Sequence, residues 1–385
     1  MRDLSQLAVK TQVDPLVEET ISSSDIRVRL REGDTPEVTC DFQDSQEMQE
    51  FSSTRPQKTG IVRFGASASW ILRPSATPAS VVLPSSPLLK MGLLLEEAVR
   101  EIAIGAVAGG PYQDGETITG GTSGATGKVF RPASATPLRY VPVTGTFQTG
   151  EVVTGGTSGA TSTTSGSPSS KGFKYSLTDS DFVGSGQSKH HATVEYLRGG
   201  YCWRGKGVLG ELSLEFKNML PVVAKSQMTG ILAATLDKPL YSIAAYPDEG
   251  IAEPRFVGAQ LKMGGYSPTD IVDFSLTLPL GLEVREDANT ASGILYTDYL
   301  RRGSPPIVTF EPAMVTKATF DFFGLYSSGA TFAMSWSLGS AFDFFADECQ
   351  FVNAGVGNRR SLATVPIQIR LCGKKNNEIQ IWAKG

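Results

Sequence analysis

The sequence predicts a mainly β protein of 385 residues. The expected architecture is two related domains, each mostly antiparallel sheet with one helix packed against it, and a small all-β insertion in the first. Three observations carry this. Runs that alternate apolar and polar residues with period two recur along the whole chain, the mark of half-buried strands. Short segments of the first half are echoed in the second: Ile61-Val62-Arg63-Phe64 by Ile271-Val272-Asp273-Phe274, and Ala192-Thr193-Val194-Glu195-Tyr196 by Ala318-Thr319-Phe320-Asp321-Phe322. The offsets, 210 and 126, differ by 84, so the first copy should carry about that many extra residues. A block of foreign composition lies at the right place, residues 105–172.

The expected organisation is an N-terminal arm over 1–55, a discontinuous first domain over 56–104 and 173–235, the inserted module over 105–172, and a second domain over 236–385. The arm is polar and acid-rich, with strand pieces at Ile26–Leu30 and Val38–Phe42, and should order only against a neighbour. From Ile61, the run through Ala66, Ala68 and Trp70 alternates with Ser67 and Ser69. After the Pro- and Ser-rich stretch Pro74 to Pro84, Ser86-Pro87 predicts a helix start, with Leu88, Met91, Leu95, Ala98 or Val99, and Ile102 as its apolar stripe.

In the second domain, Phe274-Ser275-Leu276-Thr277-Leu278 alternates apolar and hydroxyl residues. A loop from Arg285 and a short helix holding Leu295, Tyr299 and Leu300 are expected next, ended by Arg301-Arg302-Gly303. Further strands are expected at Thr193–Tyr196, Glu211–Phe216, Thr319–Phe323, Thr331–Trp336, Val365–Ile369 and Glu378–Trp382. Inside the insertion, Tyr112 to Thr126 returns as Phe147 to Thr161, with Gly-Gly-Thr-Ser-Gly-Ala-Thr common to both. Glycine turns between Thr-, Val- and Ile-rich stretches predict short strands, on a surface module dispensable to the core.

No motif survives as a catalytic or cofactor site. Gly205-Lys206-Gly207-Val208-Leu209-Gly210 spells the dinucleotide fingerprint, but the strand pattern Glu211–Phe216 follows where a helix is required, so a hairpin turn is expected. Gly124 to Val129 lacks the first glycine and the hydroxyl of a phosphate loop. His190 and His191 are neighbours and point to opposite sides of an extended chain, a poor pair for one metal. Glu96 and Arg100 stand at helical i, i+4 spacing, and Asp347-Glu348 reads as solvated charge. Cys40, Cys202, Cys349 and Cys372 lack metal-like spacing and read as reduced thiols. With 35 basic and 39 acidic side chains the net charge is −4, which argues against gripping nucleic-acid phosphates. Mean hydropathy is −0.08, no apolar run would cross a bilayer, and Met1–Gln6 lack a signal-peptide pattern, so cytoplasmic synthesis is expected.

Several segments resemble the tail tube (major tail) proteins of long-tailed bacteriophages: Arg255–Tyr266 leading into Phe274–Leu278, Ala192 to Gly207 with Leu212–Phe216 and Met228-Thr229-Gly230, and the strand, loop and helix from Gly65 to Gly92. The inserted repeat is similar to glycine- and threonine-rich repeats of phage virion proteins. The resemblance implies tandem tube domains of β-sandwich or barrel type, each with a flanking α-helix, whose sheets join those of neighbouring domains around a ring into a continuous inner wall. It implies a non-enzymatic structural protein, without cofactor or metal, in the tail of a virion assembled in the host cytoplasm. It implies self-association into homotrimeric, pseudo-hexameric rings, or hexameric ones, stacked into a tube. The lumen would hold the tape-measure protein and pass genomic DNA; terminator and tip proteins would cap the ends. The arm and the loops holding Pro74, Ser75 and Pro84, and Arg285, Glu286 and Asp287, are the expected ring-stacking contacts. The rival readings are a β-rich tip, baseplate or fibre protein that binds a receptor, and a secreted carbohydrate-active enzyme.

Overall fold

In the computed structural model, which describes residues 5–31, 34–43, 58–131, 137–177, 190–290, 294–299, 305–373 and 378–385, strands dominate and the chain is mainly β. The first part runs β1 (Ser5–Thr11), β2 (Pro36–Gln43), β3 (Lys58–Ile71), the short helix α1 (Ser86–Met91) and β4 (Leu94–Ile102). The repeat-bearing module follows as β5 (Thr117–Gly120), β6 (Thr126–Val129), β7 (Leu138–Thr144), β8 (Val152–Gly155) and β9 (Thr161–Thr163). Then come β10 (Ser169–Leu177), β11 (Ala192–Arg198), β12 (Tyr201–Lys217) and β13 (Val223–Asp237). The second part runs β14 (Lys262–Met263), β15 (Asp273–Leu278), β16 (Leu282–Glu286), β17 (Ile294–Tyr299), β18 (Ile307–Phe310) and helix α2 (Phe322–Ser328). It ends with β19 (Phe332–Leu338), β20 (Phe342–Ala354), β21 (Gly357–Arg359), β22 (Leu362–Thr364), β23 (Ile367–Cys372) and β24 (Gln380–Lys384).

The ladders between these strands are antiparallel, and the two parts carry the same strand order. In the first it is β1-β11-β12-β13-β3-β2. In the second it is β14-β19-β20-β23-β18-β15. Each part thus lays down three strands of this order, a helix and a meander whose last strand returns beside the third; in the second part the separate β16–β17 hairpin lies between the second and third of these strands. Local geometry recurs as well. The ladder slips at one place in β11, between Ala192 and Val194, and at the equivalent place in β19, between Phe332 and Met334. The hairpin turns that follow put Gly199 and Gly339 at φ 61° and 55°, in the left-handed region where a side chain is strained.

The sequence echoes select the wrong equivalences. Ile61–Phe64 lies in β3, but Ile271–Phe274 leads into β15, the counterpart of β2. Ala192–Tyr196 is strand, whereas Ala318–Asp321 is a turn that caps α2; the Asp321 side chain accepts from the Gly324 N–H. The expected strand Thr319–Phe323 is therefore replaced by a helix start. By strand order, the extra chain of the first part lies between α1 and β11, a gap that only three residues span between α2 and β19.

Other local expectations are also corrected. The helix from Ser86 stops at Met91, where Gly92 and Leu93 turn the chain, Leu93 at φ 58°. Residues 94–102 continue as β4 between β10 and β7. The apolar spacing there is helical, but ladders on both flanks satisfy the backbone, and tertiary context overrides the pattern. Glu96 accordingly ion-pairs with Lys90 at 3.0 Å and Glu97 with Lys174 at 2.7 Å, across the fold rather than along a helix. The expected helix around Leu295 and Tyr299 is strand β17, paired with β16; Leu300 to Gly303 lie outside the described residues. Ile26–Leu30 makes no ladder, although Ile26 and Val28 are buried. Gly205–Gly210 is not a turn but a bulged stretch inside β12, where a Cβ on Gly205 would lie 2.5 Å from the Phe64 ring.

One core joins the two parts, with no break at 235–236. The Phe216 ring of β12 meets Phe274 at 5.0 Å, Phe344 at 5.5 Å and Trp336 at 6.1 Å, edge to face. The inserted module has its own small core around Ile118, Tyr140 and Val153. It also docks on the second part: Phe130 packs edge-on against Trp382 at 5.8 Å, and Arg131 ion-pairs with Asp347 at 2.5 Å.

A polar sheet face as the candidate functional site

Eight strands form an unbroken run through both parts: β2-β3-β13-β12-β15-β18-β23-β20. The join is β12–β15, six registered pairs from Leu212↔Leu278 to Lys217↔Asp273. Alternation separates the two faces. One row across seven strands reads Trp70, Ala224, Leu214, Leu276, Val308, Ile369 and Phe351, and all are buried. The adjacent row reads Ser69, Lys225, Ser213, Thr277, Ile307, Arg370 and Gln350, on the opposite face. The next polar-side row contains Glu215, Ser275, Thr309, Gln368 and Asn353. The same register that fills the core thus produces a wide hydroxyl- and charge-bearing surface.

Two shallow grooves mark that surface. One of about 580 Å3 is lined by Ser67, Ser69, Glu211, Ser213, Lys225 and Thr277. The other, of about 460 Å3, is lined by Glu215, Lys217, Asp273, Ser275, Thr309 and Glu311 and crosses from one part to the other. Charges of both signs alternate: Lys225 pairs with Glu215 at 2.5 Å, and Glu211 accepts the Leu280 and Gly281 N–H groups at 3.1 and 3.0 Å. At the groove edge, Asp34 accepts the Ser69 N–H at 2.6 Å; burial raises its pKa despite the opposing hydrogen bonds from Ser69. The face is wet and carries no single sign of field.

The groups singled out as chemistry lie elsewhere. His190 Nδ1 meets the Lys90 carbonyl at 2.9 Å and His191 Nε2 the Thr297 carbonyl at 2.6 Å, so the two rings serve different neighbours. Burial pushes His191 down to about 4. Burial likewise raises the Cys202 thiol to about 11 and raises Cys349 and Cys372, which disfavours thiolate. Among the described residues, no group of His, Cys, Asp and Glu is placed to hold a metal ion.

The expected stacking loops are tied into their own chain to different degrees. Ser75 and Pro84 are buried, Pro74 is half-buried, and the exposed tip of that stretch is Ala76, Thr77, Ser80 and Val81. Arg285 and Glu286 are not loop residues but lie in β16, where Arg285 ion-pairs with Asp298; Asp287 begins the turn. The arm is likewise not free over its described length. β1 makes seven pairs with β11, and the Glu19 N–H donates to Thr193 Oγ1 at 2.9 Å.

Sequence reasoning missed the ion cluster that fastens this arm. Glu195, fully buried on β11, accepts from Arg204 at 2.6 Å and from Lys238 and Tyr241 at 2.7 Å each. Burial opposes its ionisation, but the hydrogen bonds from Lys238, Tyr241 and Arg204 outweigh it and leave its pKa below the ordinary value. Gln6 of β1 makes paired hydrogen bonds with the Tyr241 backbone at 2.8 and 3.0 Å. The only sequence signal was a glutamate inside an apolar strand.

No protein-family model and no curated protein matches the sequence.

Proposed function

We propose that the chain is a structural subunit of a hollow protein tube, the tail tube of a long-tailed bacteriophage virion, assembled from its own copies without catalysis. The observation that carries this reading is the polar face that runs across two parts of identical strand order. A tube wall needs a sheet with one dry face and one wet face, and it needs repeated units so that each neighbour meets the same contact. Here each part contributes four strands to the run, β2-β3-β13-β12 and β15-β18-β23-β20. Three chains would supply six such units around a ring. The polar rows would face the lumen, where hydroxyls and interleaved charges keep water at the wall and give passing DNA no continuous basic track to bind. Stacked rings would house the tape-measure protein before ejection, and the module on β4 and β10 would decorate the outside.

Negative-stain microscopy of the purified protein tests this. Hollow rings or stacked tubes support it. Discrete trimers that never stack would favour a tip or fibre protein, and monomers with glycan-cleaving activity would favour an enzyme.

A further inference from the structure

Strand β20 belongs to two ladders on one of its sides. Over residues 342–345 it pairs with β24, and over residues 348–354 it pairs with β23, in the run that carries the polar face. Between them, Ala346 and Asp347 have no registered partner on that side. A strand that passes from one sheet to another turns a corner, and such corners form at bulges or bends where ladder bonds are given up.

The residue that grips this corner comes from the insertion. Arg131, just past the end of β6, lies 216 residues before Asp347. Its guanidinium donates to Asp347 Oδ1 at 2.5 Å and to Gln380 Oε1 at 3.2 Å, and it lies 4.5 Å over the Phe345 ring. Phe345 and Gln380 are the last pair of the β20–β24 ladder, and Asp347 stands in the gap beyond it. One side chain thus holds both strands where their own bonding stops, through charge-assisted hydrogen bonds and a cation–π contact. The preceding residue, Phe130, adds edge-on packing against Phe345 at 6.4 Å.

Two further observations separate this grip from incidental packing. Arg131 sits at φ 46°, a left-handed conformation costly for a residue with a side chain, and Asp114 accepts its N–H. Such strain persists only where the surroundings fix the residue. The module is also braced against yielding. Residues 104–108, continuing from β4, bond back to β9, with the Gly105 and Ala108 N–H groups donating to Thr163 and Thr161 at 2.8 and 2.9 Å. Since β4 also pairs with β7, the module's sheet closes on itself.

We infer that the insertion is a clasp on the second part: Arg131 takes the place of the missing ladder at the β20 corner and holds β20 and β24 together there. The module, which adds no strand to the polar run, thereby fixes the last strand of that run, the one carrying Gln350 and Asn353. The inference goes beyond the tube reading and does not depend on it.

Residue-resolved hydrogen exchange of the full-length protein tests it. Arg131→Ala should lower the protection of the amides of 345–348 and 380–382 at least about tenfold, while those of Ile118 and Val153 inside the module keep theirs. Arg131→Gly relieves the positive φ but still lacks the side chain, so it should show the same loss. Wild-type protection in that variant would place the effect in backbone strain and overturn the clasp. Asp347→Ala releases the grip from the other side without touching the module and should also lower protection at 345–348 and 380–382. Combined with Arg131→Ala, it should add nothing further, because both changes break one contact. Should Arg131→Ala not fold, the Asp347→Ala result decides alone. Unchanged protection at 380–382 in Asp347→Ala, or loosening confined to the module in the Arg131 variants, overturns the inference.

Discussion

Glu116 and Glu151, 35 residues apart, each close the other's repeat. Glu116 accepts from the Ser158 N–H at 2.9 Å and Oγ at 2.8 Å, in the second turn. Glu151 accepts from the Ser123 N–H and Oγ, both at 2.9 Å, in the first. β5 and β8 meet antiparallel with Thr119 opposite Thr154, so the repeats are related by a local twofold axis. The repeated Gly-Gly-Thr-Ser-Gly sequence is thus half of a reciprocal clamp.

That reciprocity predicts a crossed effect. Glu116→Gln should loosen the turn at Thr157–Ser158, and Glu151→Gln the turn at Thr122–Ser123, each costing about 1–3 kcal/mol of local stability. Residue-resolved hydrogen exchange checks this. Loosening confined to the mutated repeat would contradict the clamp.

The two clamps also have an acid limit. Burial opposes ionisation of both carboxyls, but hydrogen bonds from Ser158, Gln113 and Thr157 to Glu116, and from Ser123, Gln148 and Thr122 to Glu151, outweigh it and lower both pKa values. With the folded pKa below the unfolded one, about 4.3, their contribution is complete above pH 4.3 and is lost as pH falls through the folded value. Amide protection in the module, taken relative to the intrinsic exchange rate at each pH, should therefore fall once the pH drops below the unfolded value, and the Gln variants should show a flatter profile.

A second titration lies higher. His191 is held at about 4 by burial, against about 6.5 when unfolded. The unfolded chain therefore takes up this proton first, so stability should fall by about 1.4 kcal/mol per unit as pH drops from 6.5 to 4, and then level off. Denaturant unfolding at a series of pH values measures the slope; His191→Gln should remove that part of it.

Glu195→Gln removes the carboxylate that Arg204 and Lys238 share, leaving Arg204 its longer contact with Glu18 at 3.7 Å. Both cations keep partial exposure, 29% and 26% of the side chain, so the expected cost is about 2–3 kcal/mol, below the range of a fully buried pair. The loss should appear first as faster exchange in β1, which this cluster and Gln6 fasten.

Phe216→Ala removes the ring shared by both parts and should cost about 3–5 kcal/mol. Because the core is continuous across the β12–β15 join, the main sheet should still unfold in one calorimetric transition at a lower temperature. Two separated transitions for the parts would show that the shared core does not couple them.

Much of this fold was legible as alternation. Phe64, Ala66, Ala68 and Trp70, Leu212 to Phe216, and Phe274 to Leu278 are strands with the buried face that period two predicts. The glycine- and threonine-rich repeat marked the inserted module, and hydroxyls opposite apolar residues marked the wet face. The sequence by itself therefore determined the class, the side-chain faces and the presence of a foreign block, because these depend on spacing along one strand. Only tertiary structure decided that Leu94 to Ile102 is strand and that Ile294 to Tyr299 is strand. It also decided which segments of the two parts correspond and which glutamates meet which cations. The strand outcomes depend on partners away in the chain: ladders from β10 and β7 hold β4 extended against its helical spacing, and β16 holds β17 extended. The start of α2 is instead marked locally, by the Asp321 carboxylate that accepts the Gly324 N–H.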